Sequence, residues 1–189
     1  MISPIKLPTK ISLADFLKLP ETKPVSEYIN SEIYQKPMPK GKHSRLQTQF
    51  SSEINRVAEI NRLAIAFTEL RGTFGGRSLV PDISVFSWQN IPIDANGEIE
   101  NIFEIPPDWV IEILSPEQSS TRVIDNILFC LNSGTQLGWL IDPQERVIII
   151  FCPGKQPEIK QNQDILPVLT SLENWKLSVE NVFSYLTLN

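Results

Sequence analysis

Two stretches of sequence decide the fold of this chain: Leu79-Val80-Pro81-Asp82-Ile83-Ser84-Val85-Phe86 and Trp109-Val110-Ile111-Glu112-Ile113-Leu114-Ser115-Pro116. Both are rich in β-branched and aromatic residues, which predicts two strands. Each strand carries one carboxylate among Val, Ile and Leu, and we expect neighbouring strands to bring Asp82 and Glu112 to a shared point. Two carboxylates at one point are a typical site for a hard divalent cation.

The patterns around these strands predict a mixed chain of helices and strands. A short capped helix, a hairpin and a longer amphipathic helix precede them, at residues 12–19, 25–34 and 42–62. A helix and a strand pair follow them, at residues 122–132 and 137–152. The sum is an α/β (α+β) fold with a mixed sheet. We expect a single domain over residues 1–189, with residues 1–24 as an N-terminal helical extension.

Composition narrows the class of protein. The chain has 189 residues, of which 41% are hydrophobic, and this is enough for one globular domain with a real core. The sequence has no apolar run near the ~20 residues of a membrane span and no secretory signal at its start, so we expect no membrane association and a cytoplasmic location. Cys130, Cys152 and the single His43 form no zinc pattern. We expect His43 to be exposed at a helix start.

The charge is unevenly distributed along the chain. Residues 1–80 carry 12 Lys and Arg against 7 Asp and Glu, whereas residues 81–189 carry 5 against 15. Local positive charge of this kind is what contact with nucleic-acid phosphates requires. The N-terminal half therefore offers phosphate-binding candidates, and a solvated loop before a helix is an equally good interpretation of their central cluster. The candidates are Lys36, Lys40, Lys42 and Arg45, with Arg77 further along.

The order of these features resembles the PD-(D/E)XK nuclease superfamily, in particular the restriction-endonuclease-like proteins of the Uma type. The resemblance rests on Pro81-Asp82, on Glu112-Ile113-Leu114-Ser115 and on the strand Gly138-Trp139-Leu140-Ile141-Asp142-Pro143. It implies a four-stranded mixed sheet flanked by helices, with Asp82 and Glu112 as ligands of Mg²⁺ or Mn²⁺. It also implies a third acid, for which Glu53 and Glu27 are candidates.

The chain departs from the superfamily pattern at the lysine. The residue two positions after the second acid is Leu114, and Asn126 stands where related Uma-type proteins often present a lysine from the next helix. Arg122, one turn earlier, could stabilise phosphate charge, but arginine stays charged and is a poor proton acceptor. An ion pair between Arg122 and Glu112 would instead satisfy the acid without any chemistry.

Three functions agree with these residues. The first is a Mg²⁺-dependent endonuclease that hydrolyses DNA, with a homodimer implied by resemblance to nucleases that cut both strands. The second is a catalytically inactive nuclease-fold module that binds nucleic acid or protein, which Leu114 and Asn126 favour. The third is a carboxylate-metal hydrolase with another substrate. The apolar strand 148–151 would serve either as a dimer face or as a central core strand.

Overall fold

The structure is a computed structural model that describes residues 10–116 and 118–188. Residues 1–9 of the predicted extension lie outside this range. Within it are four α-helices: α1 (Leu13–Phe16), α2 (Gly41–Ala58), α3 (Ser120–Asn132) and α4 (Val179–Ser184). The ten strands are β1 (Ser26–Ile29), β2 (Glu32–Gln35), β3 (Ala64–Thr68), β4 (Gly72–Phe74), β5 (Arg77–Leu79), β6 (Ile83–Ser87), β7 (Trp109–Ile113), β8 (Leu137–Asp142), β9 (Val147–Phe151) and β10 (Glu158–Gln161).

Local sequence signals explain several of these elements. Ser12 caps α1 by accepting a hydrogen bond from the backbone N–H of Asp15 over 3.1 Å. The predicted hairpin is present as β1 and β2, and Asn30 and Ser31 turn it with φ of 52° and 68°. Positive φ at both central residues is typical of a two-residue hairpin turn whose twist matches the strands.

The larger sheet is mixed and has six strands in the order β10-β9-β8-β7-β6-β3. β7 and β8 are parallel and α3 is the crossover between them, whereas the other neighbours are antiparallel. The sheet therefore has two strands more than the resemblance implies. A second, antiparallel sheet has the order β2-β1-β5-β4.

The core occupies both faces of the larger sheet. On one face, α2 and α4 cover a cluster that includes Trp109, Ile111 and Ile113 of β7. On the other face, α3 and residues of the smaller sheet cover Val110 of the same strand. Side chains alternate between the faces of a strand. Glu112 therefore shares the α3 face with Val110.

Close packing fixes α3 over this face. A Cβ on Gly138 of β8 would lie 2.5 Å from Ile127 Cγ2, so only glycine allows the helix to approach this closely. The apolar β9 is a core strand, with Ile148, Ile150 and Phe151 buried. Among the described residues, no helix is long and apolar enough to cross a membrane.

Candidate functional site

Asp82 and Glu112 are cross-strand neighbours. β6 and β7 are antiparallel and Ile83 pairs with Ile111, so Asp82 and Glu112 are the next residues along the two strands. Both carboxylates therefore lie on the face opposite to Ile83 and Ile111. The backbone N–H of Ile113 donates to Asp82 Oδ2 over 2.7 Å and holds the aspartate against β7. The structure thus brings the two predicted acids together, buried to 2% and 3% exposure.

The side chain of Lys36 lies between the two carboxylates. Its Nζ is 2.8 Å from Asp82 Oδ1 and 3.2 Å from Glu112 Oε2. The same ammonium donates to the backbone oxygen of Val80 over 2.9 Å. Lys36 directly follows β2, so the hairpin delivers this cation to the strand ends of the larger sheet. Charge-assisted hydrogen bonds of this length are the strong class, and they join the two acids through one group.

A third buried carboxylate, Glu27 of β1, stands beside this pair. Glu27 Oε1 accepts from the backbone N–H of Val80 over 2.9 Å, and its Oε2 accepts from Asn126 Nδ2 over 3.3 Å. The charge of Glu27 acts on both Lys36 and Glu112. We call Glu27, Lys36, Asp82 and Glu112 the acidic cluster. It holds three carboxylates and one ammonium.

The first turns of α2 orient Asp82 from the other side. His43 Nε2 is 3.0 Å from Asp82 Oδ2, and Gln47 Nε2 donates to the backbone oxygen of Asp82 over 2.9 Å. Both side chains are buried, so the expectation of an exposed His43 is wrong. The amphipathic pattern of α2 places His43 and Gln47 on the side of the helix that faces the sheet, where both contact Asp82.

Burial and charge act in opposite directions on the acidic cluster. Desolvation acts to raise the pKa of Asp82, but the charge of Lys36 and the bond to His43 outweigh it, and the pKa lies below its usual value. For Glu112, desolvation and the negative charges of Asp82 and Glu27 raise the pKa more than the positive charge of Lys36 lowers it. The pKa of Glu112 therefore lies well above its usual value. Desolvation acts to lower the pKa of Lys36, but the three carboxylates hold it above its usual value. Lys36 is therefore charged, and Glu112 is the acid that burial makes hardest to ionise.

Two adjoining cavities lie beside the acidic cluster, and the first of them reaches Asp82 and Lys36. The first has a volume of about 520 Å³ and is lined by Asp82, Lys36 and His43 together with residues 22–25 and 37–39. The second has a volume of about 540 Å³ and is lined by Lys40 and Lys42 at the start of α2 and by residues at the ends of β7 and β8. His43, Ser115 and Gln118 line both cavities. We call the two cavities together the site groove.

The donor atoms of the acidic cluster fit a hard divalent cation. Among residues 10–116 and 118–188, no group of three or more His, Cys, Asp and Glu side chains is arranged to hold a metal ion. Mg²⁺, however, is commonly held by one or two carboxylates, with water and substrate oxygens completing its coordination. Asp82 and Glu112 supply such a pair, and the excess of negative charge around Glu112 is what a cation would relieve.

Comparison with known proteins identifies the family of this chain and a similar solved structure. Residues 13–180 match the family model described as "Uma2: Putative restriction endonuclease". The chain belongs to the Uma2 family. The crystal structure of "a putative nuclease belonging to DUF820 from Anabaena variabilis ATCC 29413" is 53% identical in sequence and superposes with a TM-score of 0.92. That match covers 94% of this chain and 99% of the other chain, whereas no curated protein matches.

These findings confirm the resemblance to Uma-type proteins and the nuclease-like mixed fold. They support a nuclease-like function for this Uma2 chain.

Glu53 and Arg122 were predicted as site residues, but neither belongs to the acidic cluster of this Uma2 protein. Glu53 of α2 pairs with Arg56 over 2.6 Å and does not line the site groove. Arg122 lies at the start of α3 with its guanidinium carbon 4.3 Å from the centre of the Tyr34 ring. In the described part of the chain Lys36, not Arg122, pairs with Glu112. Arg122 does line a small cavity of about 30 Å³ beside Glu112.

The predicted phosphate-binding residues divide into two groups. Lys40 and Lys42 line the site groove. Arg45 instead donates through Nε to the backbone oxygen of Tyr185 over 3.0 Å, and Arg77 pairs with Asp125 over 2.8 Å. Neither arginine lines the site groove.

Sequence reasoning missed the roles of Lys36 and His43. Lys36 lies 46 residues before Asp82 and 76 before Glu112, and it counted only as one member of a basic cluster. The one available signal was indirect. Buried acids without a lysine at either motif position require a cation from elsewhere in the chain.

Proposed function

We propose that this Uma2 protein is a Mg²⁺-dependent endonuclease that hydrolyses phosphodiester bonds of DNA, with Mn²⁺ as an alternative cation. One observation carries the proposal: Asp82 and Glu112 converge on Lys36, and Asp82 and Lys36 line the site groove while Glu112 lines the small cavity of about 30 Å³. Membership in a family of restriction-endonuclease-like proteins supports the same reaction class.

The residues have distinct roles in this proposal. Asp82 and Glu112 would hold the cation, which supplies an activated water and neutralises charge on the phosphate. His43 and the backbone N–H of Ile113 keep Asp82 in one orientation, because both contact its Oδ2. A carboxylate fixed from two sides is preorganised and needs no rearrangement during the reaction.

Lys36 takes the place of the motif lysine in this proposal. Its ammonium lies within 3.2 Å of both acids and remains charged, so it stabilises negative charge at the phosphate and does not act as a base. Glu27 holds the hairpin in place through Val80 and is the remaining candidate for a third acid. Arg122 adds positive charge from the small cavity beside Glu112.

Two predictions stay open beside this proposal. A homodimer would provide one active centre for each strand of a duplex, but β9, considered as a dimer face, is buried in the sheet of each chain. A cytoplasmic location would give the enzyme access to DNA. Size-exclusion chromatography with light scattering measures the first directly.

The alternative is a catalytically inactive module of the same fold. Its supporting observation is that Lys36 already neutralises part of the acidic cluster, while Asn126 stands at the helical lysine position. A nicking assay separates the two functions.

Purified protein is incubated with supercoiled plasmid and Mg²⁺, and open-circular product is quantified. We expect Asp82→Asn and Glu112→Gln to lower the nicking rate by at least about 100-fold, because each removes one charged oxygen ligand. Glu53→Gln is the matched control and should nick like the wild type, since Glu53 pairs with Arg56 away from the groove. Equal nicking by all four proteins would identify a contaminant, and no nicking by the wild type would favour the inactive module.

A further inference from the structure

The depth of the acids limits which DNA can reach them. Asp82 and Glu112 are 2% and 3% exposed, and Asp82 is the one of the two that lines the site groove, so a phosphodiester must enter the groove to meet Asp82. The cavity at Asp82 has a volume of about 520 Å³. A duplex is wider than its ~12 Å major groove alone, so a cavity of this volume cannot take in a whole duplex. The cavity is in the size range of pockets that take one small ligand, such as a single nucleotide unit.

The walls of this cavity are held together. Residues 22–25 and 36–39, which flank the β1–β2 hairpin, both line it. Lys36 N donates to the backbone oxygen of Val25 over 2.9 Å, and Gln35 Nε2 donates to that of Pro24 over 3.0 Å. Pro24, Pro37 and Pro39 further restrict the backbone, because each proline fixes its own φ. These contacts therefore hold this part of the lining in one shape.

The groove extends beyond Asp82 to the start of α2. The second cavity joins the first through His43, Ser115 and Gln118, and it is lined by Lys40 and Lys42. A basic groove that leads away from a catalytic pocket is an arrangement that tracks a single backbone.

The charges near the groove also suit one strand better than two. A protein that contacts about 6–10 phosphates of a duplex draws a large share of its affinity from their neutralisation. Here the lining residues include the acids Glu69 and Asp142 as well as the lysines. Arg71 and Arg77, which could have extended the basic surface, pair with Glu21 and Asp125. Few phosphates can therefore be neutralised along this path.

We propose that the substrate of this site is single-stranded DNA, or an unpaired segment within a duplex, which lies in the site groove with its phosphates near Lys40 and Lys42. This inference rests on the proposed endonuclease function for its chemistry but not for its binding geometry. A single strand requires one active centre, so the proposal holds for a monomer or a dimer.

Binding is measured first, with the full chain in EDTA so that hydrolysis cannot interfere. The probes are a fluorescein-labelled 20-mer of mixed sequence and the same 20-mer annealed to its complement, followed by fluorescence anisotropy. We expect the single strand to bind at least about tenfold more tightly, because only it can enter the groove. Equal or tighter binding of the duplex overturns the proposal.

The path of the strand is tested with charge variants. Lys40→Ala/Lys42→Ala should weaken single-strand binding and make its log–log salt slope shallower by ~1.4, at ~0.7 for each lost phosphate contact. Lys155→Ala, which removes an exposed lysine that does not line the groove, is the matched control and should leave affinity and slope unchanged. An unchanged slope in the double variant places the strand elsewhere and overturns the proposal.

Cleavage then separates this inference from the proposed function. With Mg²⁺, circular single-stranded DNA should be cut at least about tenfold faster than relaxed closed-circular duplex, and Glu112→Gln should cut neither. Strand preference in binding without any cleavage would keep the inference and refute the nuclease. Faster cleavage of the relaxed duplex would keep the nuclease and refute the inference.

Discussion

Two buried carboxylates lie four residues apart at β7 and have opposite surroundings. Asp108, directly before the strand, accepts hydrogen bonds from Ser87 N, Asn90 Nδ2 and Gln136 Nε2 over 2.7, 2.9 and 2.8 Å. Every one of these donors is neutral. Glu112, within the strand, has Lys36 as its hydrogen-bond partner among the described residues and is surrounded by two further acids.

This difference indicates a structural role for Asp108 and makes Glu112 a candidate functional residue. Neutral donors satisfy Asp108 fully, so it joins three segments of the chain and needs no ligand. Glu112 is buried among like charges, which costs stability and places its pKa well above the usual value. Groups with such shifts concentrate at functional sites. A buried acid is therefore a site candidate when its neighbours are acids, and a structural residue when they are amides.

The largest effect is expected from removal of Lys36. This cation pairs with Glu112, whereas the donors to Asp108 are neutral. Lys36→Met leaves Asp82 and Glu112 without their shared partner, which should cost about 3–5 kcal/mol of unfolding free energy. It should also lower plasmid nicking by at least about 100-fold. Urea denaturation and the nicking assay measure the two effects, with Lys155→Met, at an exposed lysine that does not line the site groove, as the control for a general loss of charge. Wild-type nicking by Lys36→Met would refute its catalytic role.

A second substitution sharpens this test. Lys36 and Asn126 both line the small cavity beside Glu112, so a lysine at position 126 can reach the same acids from α3. Lys36→Met/Asn126→Lys should therefore regain stability and part of the nicking that Lys36→Met loses. A double variant that refolds without any nicking would show that the position of the ammonium matters as well as its charge.

A smaller effect, on stability alone, is expected at Asp108. Asp108→Asn replaces charged acceptors by one amide oxygen and leaves buried donors unpaired, at a cost of about 2–3 kcal/mol. The melting temperature should fall by ~4–12 °C, while nicking per folded molecule stays at the wild-type rate. Differential scanning fluorimetry and the nicking assay at 20 °C measure both. Loss of nicking in this folded variant would remove the distinction between the two acids.

The smallest effect is a pH dependence that belongs to Glu112. Its raised pKa means that the native protein keeps a proton that the unfolded chain releases near pH ~4.3. Above that pH the native state binds more protons than the unfolded state, so this group lowers stability as pH rises toward its native pKa. Asp82, with a lowered pKa, acts in the opposite sense and loses its contribution only as pH falls below ~3.9.

The measurement compares wild type and Glu112→Gln in EDTA between pH 5 and 8. The melting temperature of the variant should gain on that of the wild type as the pH rises across this range, because only the wild type has the group whose pKa is raised. Mg²⁺ at millimolar concentration should cancel the difference by raising only the wild-type value, because the cation favours ionised Glu112. A constant difference between the two proteins would show that Glu112 ionises normally.

Local signals predicted the elements well and their ends less well. The hairpin at Asn30 and Ser31 is where turn chemistry placed it. The long helix was predicted to run to about Arg62 because Ile60 continued the apolar spacing, but α2 ends at Ala58 and Ile60 is 83% exposed. Arg62 has φ of 52°, which no helix interior allows. The helical spacing of an apolar residue such as Ile60 does not show whether another element of the fold packs against it.

The sequence by itself determined the two strands, their order and the identity of Asp82 and Glu112, because β-branched runs and their spacing are local properties. Tertiary structure alone decided which cation meets these acids. Hairpin packing carries Lys36 across 76 residues of chain to Glu112, and α2 brings His43 to Asp82. No short-range pattern encodes such contacts, because the electrostatic need of a buried acid specifies the charge of its partner and not the partner's position in the chain.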